Sequence, residues 1–177
     1  LGPTNAFLLA AVSGAYIRFL DRHDEGLALA RRAVRLNPAS PYALDALAGA
    51  LYLRGRYEEG YRLSRRVCAL TANVPNAHFF EMSLCVASVL TGRSREALTL
   101  ANSATALAPK FRAAWRYSVA LNAHEGNFQR AMDAGQRLRS IEPDFSVDRL
   151  VNDVDYPVAS IRKSNVRLAS LREIVGN

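Results

Sequence analysis

The sequence predicts an all-α chain assembled from repeated helix pairs, and three observations carry that expectation. The first is spacing. The step from Gly92 to Gly126 equals the step from Pro109 to Pro143, so each proline follows its glycine at the same offset. Pro38 follows Asp21 at that offset too, and Gly55 stands one full period after Asp21. The second is side-chain phase. Five residues past each turn position come the small residues Gly26, Gly60, Ala97 and Ala131, and seven before it come Gly14, Ala48, Cys85 and Val119. The third is composition. Across 177 residues, 50% are apolar and 22% charged, with only ten Gly and seven Pro, which excludes disordered, collagen-like and low-complexity chains.

Each period contains two amphipathic helical patterns around a tight turn. Four units follow in order, about 7–40, 41–77, 78–111 and 112–145. The first turns at Asp21 and stops at Pro38. The second turns at Gly55, but its proline, Pro75, arrives three positions late, so three extra residues sit within 71–74. The third turns at Gly92 and the fourth at Gly126, each in register with its proline. Small residues let antiparallel helices approach, and the aliphatics fifteen past each turn, Leu36, Leu70, Leu107 and Ile141, are expected to fill the ridge between units. Prolines end each second helix and reset the chain direction.

These repeated stretches resemble the tetratricopeptide repeat. The resemblance rests on Gly55-Arg56-Tyr57-Glu58-Glu59-Gly60, Gly92-Arg93-Ser94-Arg95-Glu96-Ala97, Gly126-Asn127-Phe128-Gln129-Arg130-Ala131 and Ala33-Val34-Arg35-Leu36-Asn37-Pro38, with Trp115 at the family's aromatic place. It covers about 140 of the 177 residues. Departures are Asp21 for the turn glycine, Ala10 and Glu81 for the aromatic, and the displaced Pro75. The resemblance implies a right-handed α-solenoid of four helix pairs, with first helices lining a concave face and second helices on the convex side. The remaining segment, 146–177, breaks the period and reads as a cap. Ser146 caps a short helix to about Asn152, 153–157 is a break, and 158–175 reads as one amphipathic helix presenting Ile161, Leu168, Leu171 and Val175. Deleting 146–177 is expected to expose apolar surface and cause aggregation.

Charge and reactive residues narrow the function. The 23 basic and 16 acidic residues leave a net charge of +7, which favours acidic partners or simply solubility. Arginine supplies 21 of the basic groups, and with 29 alanines this suggests a GC-rich bacterial genome. Cys68 and Cys85 form no framework or C-x-x-C pair, and His23, His78 and His124 offer no metal spacing. Neither metal nor cofactor is expected. Glu58 and Glu59 match a helix N-terminus, His23 a packing position and Cys85 a close-packed one, leaving Cys68 the better candidate for a reactive thiol. No nucleophile or acid–base pair has a supporting third group, so an enzyme is not expected. The chain starts Leu1-Gly2-Pro3-Thr4 without Met, as in a fragment. The apolar run 6–12 is too short for a membrane span and lacks the basic flank of a signal peptide. A cytoplasmic protein without membrane partners is expected.

The concave face is the candidate partner groove, because repeat arrays build extended surfaces there. Its projected lining is Arg18, Asp45, Gly49, Tyr52, Met82, Val86, Val89, Arg116 and Ala120, with Ala11, Ala15 and Ala123 beside them. Family members that hold acidic chaperone tails use a Lys, Asn and Arg clamp. The corresponding residues here include Ala11, Ala15, Ala46, Phe79 and Ser83, so that partner is rejected. An amphipathic helix or apolar segment of a protein or peptide fits better; equally, the groove could be tightly wound or filled by its own tail. On the convex side Arg32, Arg66 and Arg137 repeat in register, thickened by Arg31, Arg35, Arg62, Arg65 and Arg139, while Ser103 breaks the row. The functional reading of that row is an acidic partner, including nucleic-acid phosphate; a solvated face is the preferred reading, and direct nucleic-acid binding by this segment is not expected.

The expected function is a non-catalytic protein–protein interaction scaffold. Pro143-Asp144-Phe145-Ser146-Val147-Asp148-Arg149-Leu150 resembles the end of tetratricopeptide regions in bacterial regulators, where a winged-helix DNA-binding domain or a class III nucleotide cyclase precedes the repeats. That resemblance implies the partner-binding part of a larger signalling or transcription-regulating protein. The alternatives are a stand-alone assembly factor or secretion chaperone for apolar client segments, and a homo-oligomerisation module.

Overall fold

The computed structural model describes residues 5–20 and 22–176; Leu1 to Thr4, Asp21, Asn177 and the side chains of Arg18 and Phe19 lie outside the described set. Among the described residues all regular structure is helical. Eight helices of 13 to 15 residues come first: α1 Ala6–Phe19, α2 His23–Leu36, α3 Pro41–Leu53, α4 Tyr57–Thr71, α5 Ala77–Leu90, α6 Ser94–Leu107, α7 Arg112–His124 and α8 Phe128–Ile141. Three short helices follow, α9 Val147–Asn152, α10 Ala159–Arg162 and α11 Leu171–Val175. No helix among the described residues is long and apolar enough to cross a membrane.

The turns inside the pairs share one geometry. Gly55, Gly92 and Gly126 have φ of 77°, 75° and 79°, the left-handed region that a residue with a Cβ enters only under strain. After each glycine the next backbone N–H reaches five residues back: Arg56 to Leu51, Arg93 to Ser88 and Asn127 to Asn122, at 3.0, 2.8 and 2.8 Å. That bond satisfies a carbonyl the ending helix would otherwise leave open. The first turn differs, since Arg22 N–H reaches six residues back, to Tyr16.

Two second helices begin alike, and three end alike. Arg22 and Arg56 at the N-cap positions each grip a glutamate three residues on, Glu25 and Glu59, through two guanidinium hydrogen bonds. At the other end Asn37, Ala108 and Glu142 donate their N–H to Ala33, Ala104 and Leu138, one residue ahead of Pro38, Pro109 and Pro143. The three extra residues of the second period are shared out. α4 has 15 residues where α2 has 14, the connector 72–76 has five where 37–40 has four, and α5 has 14 where α3 has 13.

The chain divides into two compact units, Leu1–Ala87 and Ser88–Asn177, with the boundary inside α5 and so not at a repeat junction. A repeat touches only its neighbours, so a compact boundary need not follow the repeat. In the first unit α1 packs on α2, α3 on α4, and α3 also on α1 and α2. Glycine makes the first of these contacts possible: a Cβ on Gly26 would lie 2.3 Å from Ile17 Cγ1, and Ser13 Oγ donates to the Gly26 carbonyl at 2.7 Å. Ile17, Leu27, Ala30, Ala50 and Leu51 form one core cluster; Leu9, Ala10, Ala33 and Ala43 a second; Leu44, Val67 and Phe80 a third.

In the second unit α6 and α8 flank α7, and the tail lies on α7 and α8. Val147, Leu150, Val158, Ile161 and Leu171 are fully buried there. Gly135 of α8 admits Val175, whose Cγ1 stands 2.5 Å from where a Cβ would be, and Arg139 donates to the carbonyls of Val175 and Gly176. Ser146 Oγ accepts from Arg149 N at 3.1 Å and caps α9.

Two expectations need correction. The segment 158–175 is not one helix: α10 ends at Arg162 and α11 starts only at Leu171. Ser164 donates to the Ile161 carbonyl and accepts from Val166 N, while Arg167 N donates to His124 Nδ1, so local side-chain bonds replace the helical ladder. Nor do the aliphatics fifteen past each turn fill a ridge. Leu36, Leu70 and Leu107 are 43%, 54% and 57% exposed, because they fall beside the buried stripe, which runs through Ala33 on α2, Val67 and Thr71 on α4 and Ala104 on α6.

Candidate functional site

First-helix positions on the first unit build a short surface. On α3, Asp45, Gly49 and Tyr52 stand at i, i+4 and i+7 and therefore share one face. All three are half-buried. Tyr52 folds back toward the helix N-terminus, as long helical side chains do, and its hydroxyl end lies over Gly49: a Cβ there would meet Tyr52 Oη at 3.6 Å. On α1, Ala11 is exposed and Ala15 half-buried; on α5, Val86 is half-buried but Met82 is buried. This surface joins one carboxylate, one phenol and small apolar side chains.

On the second unit the same register positions are otherwise engaged. Val89 and Ala120 are buried, as is Ala123. Arg116, 12% exposed, points into the tail: its Nε and Nη2 donate to Glu142 Oε2 at 3.0 and 2.7 Å, and Nε also reaches Tyr156 Oη at 3.1 Å. Tyr156 Oη donates in turn to Glu142 Oε1 at 2.6 Å, and the Arg116 guanidinium lies 4.8 Å from the centre of the Tyr156 ring. Burial, and then the bond to Glu142, push the Tyr156 phenol far above its ordinary pKa, so it remains a donor at neutral pH. Arg149 stacks on the same ring at 5.1 Å while pairing with Asp144 and Asp153. The tail therefore occupies this part of the first-helix surface.

The expected groove residues thus fall into two sets. Asp45, Gly49, Tyr52, Met82 and Val86 belong to the first unit; Val89, Arg116 and Ala120 belong to the second. The side chain of Arg18 lies outside the described residues. Among the described residues no group of three or more His, Cys, Asp or Glu side chains could hold a metal ion. Burial pushes the Cys85 thiol upward, away from reactivity. Cys68 is half-buried and donates to the Phe80 carbonyl at 3.1 Å.

Two arrangements escaped the sequence reading. One is the Arg116–Glu142–Tyr156 cluster, in which Glu142 is 2% exposed; no spacing announces that a glutamate before a proline will be buried. The other is a polar seam between α6, α7 and α8. There Ser118 Oγ donates to Asn102 Oδ1 at 2.9 Å, and Asn122 Nδ2 donates to Ser118 O and Oγ. An open cavity of about 310 Å³ lies over it, edged by Trp115, Arg130 and Asp133. A signal did exist, because Ser118 and Asn122 occupy the places that Leu47 and Leu51 hold in the second repeat.

No protein-family model and no curated protein matches the sequence. Solved structures do. MamA from Desulfovibrio magneticus RS-1 superposes with a TM-score of 0.65 at 18% identity over 84% of this chain and 80% of that one. PilF from Pseudomonas aeruginosa gives 0.70 at 16% identity, over 82% of this chain and 64% of that one, so the chain spans less than two thirds of PilF. A thermophilic TPR protein of Thermus thermophilus gives 0.63 at 21% identity, covering 80% and 75%. Helix pairing, left-handed turn glycines and these likenesses agree that the chain has the tetratricopeptide-repeat fold.

Proposed function

We propose that the chain is a non-catalytic protein–protein interaction scaffold whose first-helix surface on α3 and α5 receives an amphipathic helix or apolar segment of a protein partner. The observation that carries this reading is the contrast between the units. Asp45, Gly49, Tyr52 and Val86 are half-buried with no tail segment over them among the contacts described, whereas the equivalent surface at Arg116 is taken by the chain's own tail. Within that reading the chain serves as the partner-binding part of a larger bacterial signalling or transcription-regulating protein. Its place after a winged-helix or cyclase domain rests on the likeness of 143–150 alone.

The test is photo-crosslinking in the source cell. A photoreactive amino acid at Tyr52 or Val86 is expected to give a discrete protein adduct, and the same group at Val154, which is 80% exposed on the tail, is not. Adducts from Val154 but none from Tyr52 or Val86 would reject the surface. Adducts only to a second copy of the chain would replace the scaffold by the oligomerisation module.

A further inference from the structure

The strongest charge feature of the fold lies on the opposite side of the first unit. Arg31, Arg32 and Arg35 of α2 and Arg62, Arg65 and Arg66 of α4 line its second helices, and all six are exposed. Among the described residues none of the six is in an ion pair, because carboxylates near them are committed elsewhere: Asp24 to Arg54, Glu25 to Arg22 and Glu59 to Arg56. The two helices are neighbours, since Val34 of α2 and Leu63 of α4 pack on the same core cluster. Arg56's hydrogen bond holds the Glu59 carboxyl below its usual range, and the charges of Arg62 on α4 and of Arg31 on α2 act on it in the same direction. The row does not continue on α6, whose middle turns carry Asn102, Ser103 and Ala106 instead. The face is a feature of two helices, not a uniform coat along the chain.

Its apolar content repeats as well. Arg32 and Leu36 are one turn apart on α2, Arg66 and Leu70 one turn apart on α4, and the two pairs stand one repeat period apart. Leu36 and Leu70 are 43% and 54% exposed. Such Arg–Leu pairs match a ligand with carboxylates on one stripe and aliphatics on the next. Arginine's planar fork binds carboxylate through two parallel bonds. Nucleic acid is the poorer match, since bases need aromatic side chains to stack on, and the exposed residues that follow these arginines on their helices, Leu36, Ala69 and Leu70, are aliphatic.

We propose that the outer face of α2 and α4 is a second docking surface, which takes an acidic amphipathic helix of a partner protein: its carboxylates meet the six guanidiniums and its apolar stripe covers Leu36 and Leu70. The surface is independent of the one on α3 and α5, so either stands if the other fails.

The probe is a fluorescent amphipathic peptide of roughly 18 residues with a Glu stripe beside a Leu stripe, titrated with the full chain by anisotropy. Binding is expected at about 50 mM NaCl and about tenfold weaker at roughly 300 mM, as screening shortens the reach of the charges. Arg32→Glu with Arg66→Glu should weaken binding about tenfold or more, and Leu36→Ser with Leu70→Ser should weaken it at both salt concentrations. All four positions are exposed, so an unchanged thermal melt accompanies the loss. If a pair of substitutions does lower the melt, Arg31→Gln with Arg62→Gln supplies the same test at lower charge change. No binding at low salt, or binding untouched by these variants, overturns the proposal. Tighter binding of an oligothymidylate or of phosphatidylserine vesicles than of the peptide overturns its choice of partner.

Discussion

Replacing Glu142 by Ala tests whether the tail is locked to the last helix pair by charge as well as by packing. Glu142 is 2% exposed and accepts three hydrogen bonds from Arg116 and Tyr156. Without it a guanidinium that is 12% exposed and a buried phenol lose their acceptor. Removing one partner of a buried pair costs about 3–5 kcal/mol, mostly because the remaining charge stays desolvated. Arg116 keeps some access to water and its 3.1 Å contact to Tyr156 Oη, so the lower end, about 3 kcal/mol, is expected. Tyr156→Phe deletes one charge-assisted bond and should cost about 1.5–2 kcal/mol. For a chain of this size each kcal/mol moves Tm by roughly 2–4 °C, so Glu142→Ala lowers it by about 6–12 °C. Urea unfolding followed by circular dichroism gives the free energies, and hydrogen exchange over 146–176 shows whether the tail opens first. Combining Glu142→Gln with Tyr156→Phe should reveal a coupling of about 1 kcal/mol. A Glu142→Ala chain within about 0.5 kcal/mol of the parent, with tail amides equally protected, would refute the reasoning.

Other consequences are equally direct. Gly55→Ala and Gly126→Ala place no atom within 4 Å of a Cβ, so their cost is backbone strain alone, about 1–2 kcal/mol each by denaturant unfolding; stability unchanged by both would contradict the left-handed turns. Under native conditions a disulfide reagent should modify Cys68 well before Cys85, whose thiol is fully buried; rapid labelling of both would mean that α5 opens readily. The carboxyls of Glu59, Glu125, Asp144 and Asp153 are held below their ordinary values of 4.5 or 3.8, chiefly by hydrogen bonds from Arg56, from Ser94, from Arg149 and from the backbone of Asp155 respectively. A lowered folded pKa means that their contribution is complete above the ordinary value and disappears as pH falls through the folded one. The melting temperature should therefore drop on acidification below about pH 4.5, and a flat profile from there down to about pH 3 would count against these pairs.

The local architecture was legible because it is written in short-range chemistry. A left-handed turn admits glycine readily, a helix interior rejects proline, and two helices can touch at Gly26 or Gly60 only where a side chain is missing. These constraints act within one helix pair and recur once per repeat, so the residues announce them directly. The three-residue insertion was legible as an insertion near 71–74, but not its distribution over α4, the connector and α5. Tertiary structure decided everything that depends on which partner reaches a side chain first. Arg116 sits at a groove position by register, yet Glu142 and Tyr156, far along the chain, claim it. Leu36 and Leu70 look like core by composition, but their exposure follows from where the buried stripe runs on each helix. The helix expected over 158–175 gave way to contacts such as Arg167 with His124, which no local propensity contains. Nor does the sequence say which arginines the acids choose: Glu25, Asp24 and Glu59 pair with Arg22, Arg54 and Arg56. Periodicity specifies the repeat unit because its causes are local and cooperative, whereas burial and pairing depend on long-range competition for the same charges and surfaces.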